Sequence, residues 1–463
     1  MAKTIAVVGG GMAGLAAAYE LQKLQHGGAN LTFTLVEASE RLGGIVETHS
    51  EDGFVVECGP DGWVTDKPWA RDLAVELGMA DDLMPSNDAT RITYVLQHSR
   101  LQPLPDNMRM MVPENLDTVR QSAFFSPAAR DSYLAEPGRA EELKASAPDH
   151  DESVASFVSR HFGEEVLRKI GAPLLGGVFG GNVHRLSVRA VMAPFVQMER
   201  DYGSLILALQ ARAAERGPKR TSIFTSLRGG TGALAERMAA TLQPASIQQN
   251  CTVTAIERTA SGWRLHYAHA PRAEFNHLLL ALPVKQARKL LEPVDARAAE
   301  LVNVPTSSAV IAGFGFSAHH APSLPAGFGF LAPEGEHCRL LAGTFADQKF
   351  GHRVPAGGKS VRAYFGGANA DALMAQTDEE IVAVAREELT RVVGHLPAAQ
   401  VTVVRRWPDA LPQYEVGHLE RMVELQGRVD TLGALHLLGN GYRGVGLPDL
   451  IRDGRAAARA AAV

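Results

Sequence analysis

Short apolar runs cut off by glycine organise this chain. Thr4-Ile5-Ala6-Val7-Val8 is continuously apolar after its first residue and stops at Gly9, Gly10 and Gly11. A short apolar run bounded by a turn signal reads as a strand buried on both faces. Residues 12–25 then space apolar positions as a helix does, with small residues on one side, and 31–37 (Leu-Thr-Phe-Thr-Leu-Val-Glu) read as a second strand. Together they predict one βαβ unit. Further along, 152–216 carry helical periodicity. Residues 246–282 alternate short strands with turn signals at Ser261-Gly262 and Ala270-Pro271, which predicts a small antiparallel layer. Strands rich in Phe and Gly are expected at 307–316, 327–332 and 360–366, and an amphipathic helix at 378–396. A last strand at 433–439 precedes a Gly-rich turn and a final helix. Between these, 106–150 hold several prolines, Met108, Met110 and Met111, and a polar stretch at 145–151, the marks of a boundary or an insertion.

Composition narrows the function classes. The chain has 463 residues, of which 46% are hydrophobic and 21% charged, so it can bury a large core in two or three domains. A net charge of −5 is too mild to drive binding to nucleic acid. Cys58, Cys251 and Cys338 are scattered, with no metal-type spacing, and read as reduced thiols in a cytosolic protein. No secretory leader is expected ahead of the strand near Thr4. No apolar run approaches the roughly 18–20 residues of a membrane span.

The first specific chemistry is Gly9-x-Gly11-x-x-Gly14, placed between a predicted strand and a predicted helix. Gly9 permits a tight turn, Gly11 a close approach to a pyrophosphate, and Gly14 close helix–strand packing. Gly10, Met12 and Ala13 complete the loop and open the helix, whose N-terminal N–H groups favour an anion. Glu37 closes the second strand, where a carboxylate can accept ribose hydroxyls. The competing reading is a Gly-rich turn without a ligand.

After Glu37 come Ala38-Ser39-Glu40-Arg41-Leu42-Gly43-Gly44. This continuation resembles that of the glutathione-reductase-like flavoproteins, and most closely the flavin amine oxidase superfamily. There the arginine (Arg41) and the glycine pair (Gly44 its second member) lie along an extended FAD. A second constellation closes the chain: Leu437-Leu438-Gly439-Asn440-Gly441-Tyr442-Arg443-Gly444-Val445-Gly446-Leu447. In that superfamily this segment sets a helix N-terminus under the pyrimidine end of the flavin. A positive helix end favours the negative charge of reduced flavin.

Within the superfamily the chain is similar, over nearly its whole length, to the oxygen-dependent protoporphyrinogen oxidase family, with the related flavin-type coproporphyrinogen III oxidases. Four stretches carry the resemblance: Glu57-Cys58-Gly59-Pro60; Glu152 to Gly163 followed by Gly176 to Asn182; Ser226 to Gly230; and Pro412-Gln413-Tyr414-x-x-Gly417-His418. It implies an α/β fold: a Rossmann-like FAD domain of the glutathione-reductase type, an α+β substrate domain and a helical, membrane-associated insertion. The expected boundaries are 1–85, 220–295 and 425–463 for FAD, 86–105 and 296–424 for substrate, and 106–219 for the insertion. It implies FAD as cofactor and O2 as acceptor. The expected reaction takes six electrons from protoporphyrinogen IX in three cycles, releasing H2O2, in haem biosynthesis. Coproporphyrinogen III is the alternative substrate.

The resemblance assigns FAD contacts to Gly9, Gly10, Gly11, Met12, Ala13, Gly14, Glu37, Arg41, Gly44, Gly59, Pro60, Val253, Trp407, Gly439, Val445, Gly446 and Leu447. It assigns substrate contacts to Arg91, Gly177, Leu331 and Tyr364: Arg91 for a propionate, Gly177 where a side chain would strike the ring, Leu331 and Tyr364 as apolar walls. No catalytic side chain and no metal are expected, since flavin N5 carries the chemistry. Plain core packing competes for Gly177, Leu331 and Tyr364. Residues 104–135 leave a membrane surface, a channel wall and a homodimer contact open. Leu450 stands where the family commonly has cysteine, and Pro448-Asp449 is commoner in the coproporphyrinogen branch, which leaves the substrate undecided. Arg100 or Arg109 could add a second basic anchor. Oxidation of amines or carotenoid-like chains, and a scaffold role, are the rival functions.

Overall fold

The computed structural model describes residues 2–216 and 222–463. The chain divides into two compact units. The first is Met1–Ser86, Ser222–Thr306 and Glu420–Val463; the second is Asn87–Thr221 and Ser307–Leu419.

The first unit is built on a five-stranded parallel sheet. Strand β1 (Lys3–Val8) lies at its centre, between β2 (Leu31–Val36) and the strand His277–Leu280. Ile247–Gln248 and Leu435–Leu437 form the two edges. Side chains of β1 alternate between two cores. Ile5 and Val7 pack with helix α1 (Met12–His26) and with the C-terminal helix Leu447–Ala462, while Ala6 and Val8 face Trp263, Leu278 and Leu280. This burial on both faces explains the unbroken apolar run in the sequence. The antiparallel layer expected over 246–282 is confined to Val253–Thr259, Gly262–Tyr267 and Ala273–Phe275. The runs on either side of it join the parallel sheet instead, because Leu278, Leu279 and Leu280 are all fully buried.

The second unit holds a seven-stranded sheet in the order Val401–Pro412, Thr306–Phe316, Lys359–Gly366, Ala342–Phe345, Gly329–Leu331, Thr93–Gln97 and Arg100–Pro103. One face carries Phe314, Phe330, Phe345 and Phe365 against helix Asp378–Val393. That helix opens with a capping box between Thr377 and Glu380. The opposite face carries Val95 and Leu331, which belong to the core of a helical cluster containing Val154–Phe162, Ala172–Phe179 and Ala193–Tyr202. The apolar side chains of 104–135 are mostly spent in that core: Met111, Val112, Val119, Phe124, Phe125 and Tyr133 are buried.

Candidate functional site

In the first unit the glycines of the loop divide into closed and open positions. Gly9 has φ +105°, and a Cβ on it would lie 2.2 Å from the carbonyl oxygen of Ala281. A Cβ on Gly14 would lie 1.9 Å from the carbonyl oxygen of Gly9. These two hold β1, α1 and the neighbouring strand together, and Met12 and Ala13 are buried with them. Gly11 differs, because a Cβ there would meet nothing within 4 Å. It is also the N-cap of α1, supplies no side-chain cap, and no acidic residue occupies the first turn. The first intrahelical bond runs from Leu15 N–H to the Gly11 carbonyl. The N–H groups of residues 12–14 precede that bond and so have no intrahelical acceptor, which suits a phosphate placed at the open Gly11 position.

Glu37 lies beside this opening. Its Oε2 accepts the Gly10 N–H at 2.7 Å and its Oε1 accepts the Ser39 N–H and hydroxyl, each at 2.8 Å. A Cβ on Gly10 would stand 3.2 Å from this carboxylate. Backbone bonds from Glu37 N–H to Gln248 O and from Cys251 N–H to Glu37 O bring the segment leading to Val253 past the same strand end. The Arg41 guanidinium folds back to donate to the carbonyls of Leu42, Gly44 and Val46 and pairs with Glu47 at 3.3 Å. It shapes the turn that carries Gly43 and Gly44. Gly43 N–H donates to Gly10 O at 2.8 Å, and a Cβ on Gly44 would lie 3.2 Å from the Gly11 Cα. The two glycine turns are thus laced edge to edge.

Two further segments complete this side. A Cβ on Gly59 would lie 1.9 Å from the carbonyl oxygen of Ile45. Gly59 and Pro60 are anchored by the buried Glu57. Its carboxylate accepts from Thr48 Oγ1, from Thr231 N–H at 2.9 Å and from Thr231 Oγ1 at 3.1 Å; Thr231 Oγ1 also lies 2.8 Å from Pro60 O. Sequence reasoning quoted the Glu57 motif and the Gly229-Gly230 motif without seeing that Glu57 and Thr231 join them. Gly439 follows the last sheet strand with φ +126°. Val445 and Gly446 lead into the C-terminal helix, which starts at Leu447 with Gly446 as an N-cap that offers no side chain. This start differs from that of α1: Pro448 has no N–H, Asp449 N–H donates to the Gly446 carbonyl at 3.0 Å, and the Asp449 carboxylate lies in the first turn.

In the second unit the register aligns three positions. Leu331 pairs with Ala342, and Ala342 pairs with Tyr364, so all three project from one face of the sheet. Gly177, in helix Ala172–Phe179, approaches that face: a Cβ on it would lie 3.9 Å from Leu331 Cδ2. Leu331 is buried and Tyr364 half-buried. Beneath the Tyr364 ring, at 5.0 Å, lies the guanidinium of the fully buried Arg362, two positions back on the same strand and face. Arg362 is a residue that sequence reasoning missed, since a single Arg in a Val-Arg-Ala-Tyr run carries no signal of its burial. Arg91 is half-buried and lies two positions before the strand Thr93–Gln97. The arginine lacks a side-chain hydrogen bond or ion pair among the described residues. Trp407 lies half-buried in strand Val401–Pro412. Gln413, from the Pro-Gln-Tyr motif, donates through Nε2 to Phe179 O at 2.7 Å and holds the end of the helix that carries Gly177.

Comparison with known proteins extends this picture. The family described as flavin containing amine oxidoreductase matches residues 12–462. A coproporphyrinogen III oxidase of Bacillus subtilis (strain 168) is 29% identical over 98% of this chain and 97% of its own. A chloroplastic protoporphyrinogen oxidase of Nicotiana tabacum is 28% identical over 95% of this chain and 82% of its own. A solved protein of Exiguobacterium sp. 255-15 superposes with a TM-score of 0.86 at 29% identity, covering 100% of this chain and 99% of that one.

Proposed function

The chain belongs to the flavin containing amine oxidoreductase family, and from that premise we propose that it is an FAD-dependent porphyrinogen oxidase of porphyrin biosynthesis, using O2 and releasing H2O2. One observation carries the porphyrinogen reading. The similarity to relatives named for that chemistry runs through both units, so it extends well beyond the glycine-loop motif of the first. Coproporphyrinogen III is the favoured substrate. The Bacillus relative carries that name, and its four propionates suit a chain with Arg91, Arg100 and Arg109 close together in sequence. Protoporphyrinogen IX is the second reading, favoured by the name of the tobacco relative.

The residues present fit FAD. The open space at Gly11 and the N–H groups of residues 12–14 suit its pyrophosphate, and Glu37 its ribose hydroxyls. Arg41, Gly44, Gly59, Pro60 and Val253 would flank the extended cofactor, and Gly439, Val445, Gly446 and Leu447 its pyrimidine end. Bound FAD supplies a hydride acceptor that O2 can reoxidise. On the substrate side, Arg91 grips a propionate through two parallel hydrogen bonds. Leu331 and Tyr364 give the macrocycle an apolar surface, and Gly177 keeps that surface clear of a side chain. Trp407 is retained as a cofactor contact. The Arg362 guanidinium holds the Tyr364 ring in place by a cation–π contact. A peripheral membrane contact and a homodimer complete the proposal; among the described residues no helix is long and apolar enough to cross a membrane.

The test compares kcat/KM for coproporphyrinogen III and protoporphyrinogen IX, with a panel of amines alongside, following peroxide. A clear preference for coproporphyrinogen III supports the favoured reading. Peroxide from amines alone would replace it with amine oxidation.

A further inference from the structure

The first turn of the C-terminal helix carries an acid where negative charge works against the expected cofactor. Asp449 follows the Gly446 N-cap by three positions, and its side chain is 5% exposed. The loop before it rests on its carboxylate. A Cβ on Gly444 would lie 2.8 Å from both Cβ and Cγ of Asp449, and one on Gly446 would lie 3.3 Å from Oδ2. Asp449 N–H donates to the Gly446 carbonyl at 3.0 Å. The carboxylate therefore touches the residues assigned to the pyrimidine end of the flavin.

A helix N-terminus there favours the negative charge that flavin gains on reduction. An unbalanced carboxylate, within the first turn and shielded from water, would cancel that benefit, because charge interactions strengthen as the local dielectric falls. The carboxylate is not unbalanced. Lys67 Nζ lies 2.6 Å from Oδ2, contributed by a segment 382 positions away. Arg452 Nη1 is 3.3 Å from Oδ1, but Arg452 Nε is engaged by Asp453 at 2.7 Å. Arg452 and Asp453 thus offset each other, and Lys67 is the charge that balances Asp449. An acid in the first turn stabilises a helix without help, so helix stability does not account for the lysine.

We propose that Lys67 and Asp449 form a charge pair that sets how readily the bound flavin accepts electrons, with Lys67 restoring the positive potential that Asp449 would otherwise remove. The inference rests on the FAD reading above. Both act as positioning residues, through the field they impose on the 444–446 loop.

The experiment measures the reduction potential of the FAD-loaded protein against reference dyes and records flavin content by visible absorbance. Lys67→Met should move the potential negative and Asp449→Asn should move it positive. Lys67→Arg and the Lys67→Met/Asp449→Asn double variant should both stay near the wild-type value. A purely structural pair would weaken flavin retention in both single variants and would not give shifts of opposite sign. The Lys67 side chain is 43% exposed, so Lys67→Met should fold and decides the matter even if Asp449→Asn does not. An unchanged or more positive potential in Lys67→Met, or shifts of the same sign in both single variants, overturns the pair's role. A wild-type protein that takes up no FAD overturns the cofactor reading itself, and is recognised before any variant is compared.

Discussion

A Cβ on Gly454 would lie 2.3 Å from the carbonyl oxygen of Ala13, so the last helix of the chain meets the first backbone to backbone. Ion pairs centred on the buried Glu20 lock the contact. Arg455 Nε and Arg459 Nε reach the two oxygens of Glu20 at 2.6 and 2.7 Å, and Arg455 also reaches Glu76 at 2.9 Å. The close approach brings the helix that carries Gly446 and Leu447 against the helix that carries Gly11 and Gly14.

Gly454→Leu should therefore act at the FAD site from a distance. Overpacking of this kind costs about 1–3 kcal/mol, and here the neighbour is a backbone carbonyl that cannot swing aside. A lowered melting temperature together with weakened FAD retention is expected, read by thermal denaturation of the apo and loaded protein. Unchanged stability would mean that the two helices can separate without cost.

Gly11→Ala and Gly14→Ala should separate binding from folding. The Gly14 Cβ has no room even in the empty protein, whereas the Gly11 Cβ has open space that only a ligand would claim. Gly14→Ala is expected to lower apo stability and FAD affinity together. Gly11→Ala should leave apo stability near wild type and weaken FAD binding alone, as titration of the apo protein would report.

Arg91→Ala should weaken porphyrinogen use at least several-fold, chiefly through KM, with FAD still bound. Arg91→Lys should recover only part of the loss, because an ammonium lacks the planar fork of a guanidinium. Steady-state kinetics with a full flavin spectrum in each variant test this. Unaltered kinetics in Arg91→Ala would remove Arg91 from the site.

The helical cluster of the second unit should lose stability in alkali. His161 is buried between Glu136 and Glu199, with each ring nitrogen 3.0 Å from a carboxylate. Burial alone would push its pKa down, but the hydrogen bonds to Glu136 and Glu199 outweigh that and leave it above its ordinary value. A raised folded-state pKa means that the stabilisation is complete below the unfolded value and is lost as pH climbs through the folded one. The loss should thus come on the basic side of about 6.5, the ordinary histidine value. Glu199 has the opposite sign. Burial would raise it, but its bonds to His161 and Arg160 hold it below the usual carboxylate range, so its contribution disappears in acid. Breaking a buried pair costs about 3–5 kcal/mol; His161→Gln should lose an amount of this order near neutrality and flatten the alkaline limb of a melting-temperature profile. A parallel decline in wild type and variant would assign the pH dependence to other groups.

Local signals made part of this protein legible. The apolar run at Ile5–Val8, the glycines at 9, 11 and 14, and Glu37 at the end of β2 are neighbours in sequence. Their geometry follows from covalent reach, so the βαβ unit can be read from the residues alone. The Phe- and Gly-rich runs at 307–316 and 360–366 and the amphipathic pattern at 378–396 likewise correspond to the strands Thr306–Phe316 and Lys359–Gly366 and the helix Asp378–Val393. What escaped were partnerships across long separations. Glu57 and Thr231 both lie in glycine-bearing motifs, yet nothing local says that one carboxylate joins them. His161, Glu136 and Glu199 look like ordinary surface residues until three helical segments close over them. The run at 277–280 could have joined either sheet, because a short apolar strand does not encode its neighbours.

The amino-acid sequence by itself determined the nucleotide-binding loop, the type of most elements and, through its resemblances, the flavin chemistry. These depend on residue identity at fixed short spacings, which the chain carries wherever it folds. Only the tertiary structure decided which of the loop glycines are closed by packing and which stays open. It alone also ranked Leu331, Ala342 and Tyr364 on one sheet face, and set Lys67 against Asp449 at the start of the last helix. Those relationships arise from contacts between distant segments, where register and burial choose the partner and one-dimensional spacing carries no record of the choice.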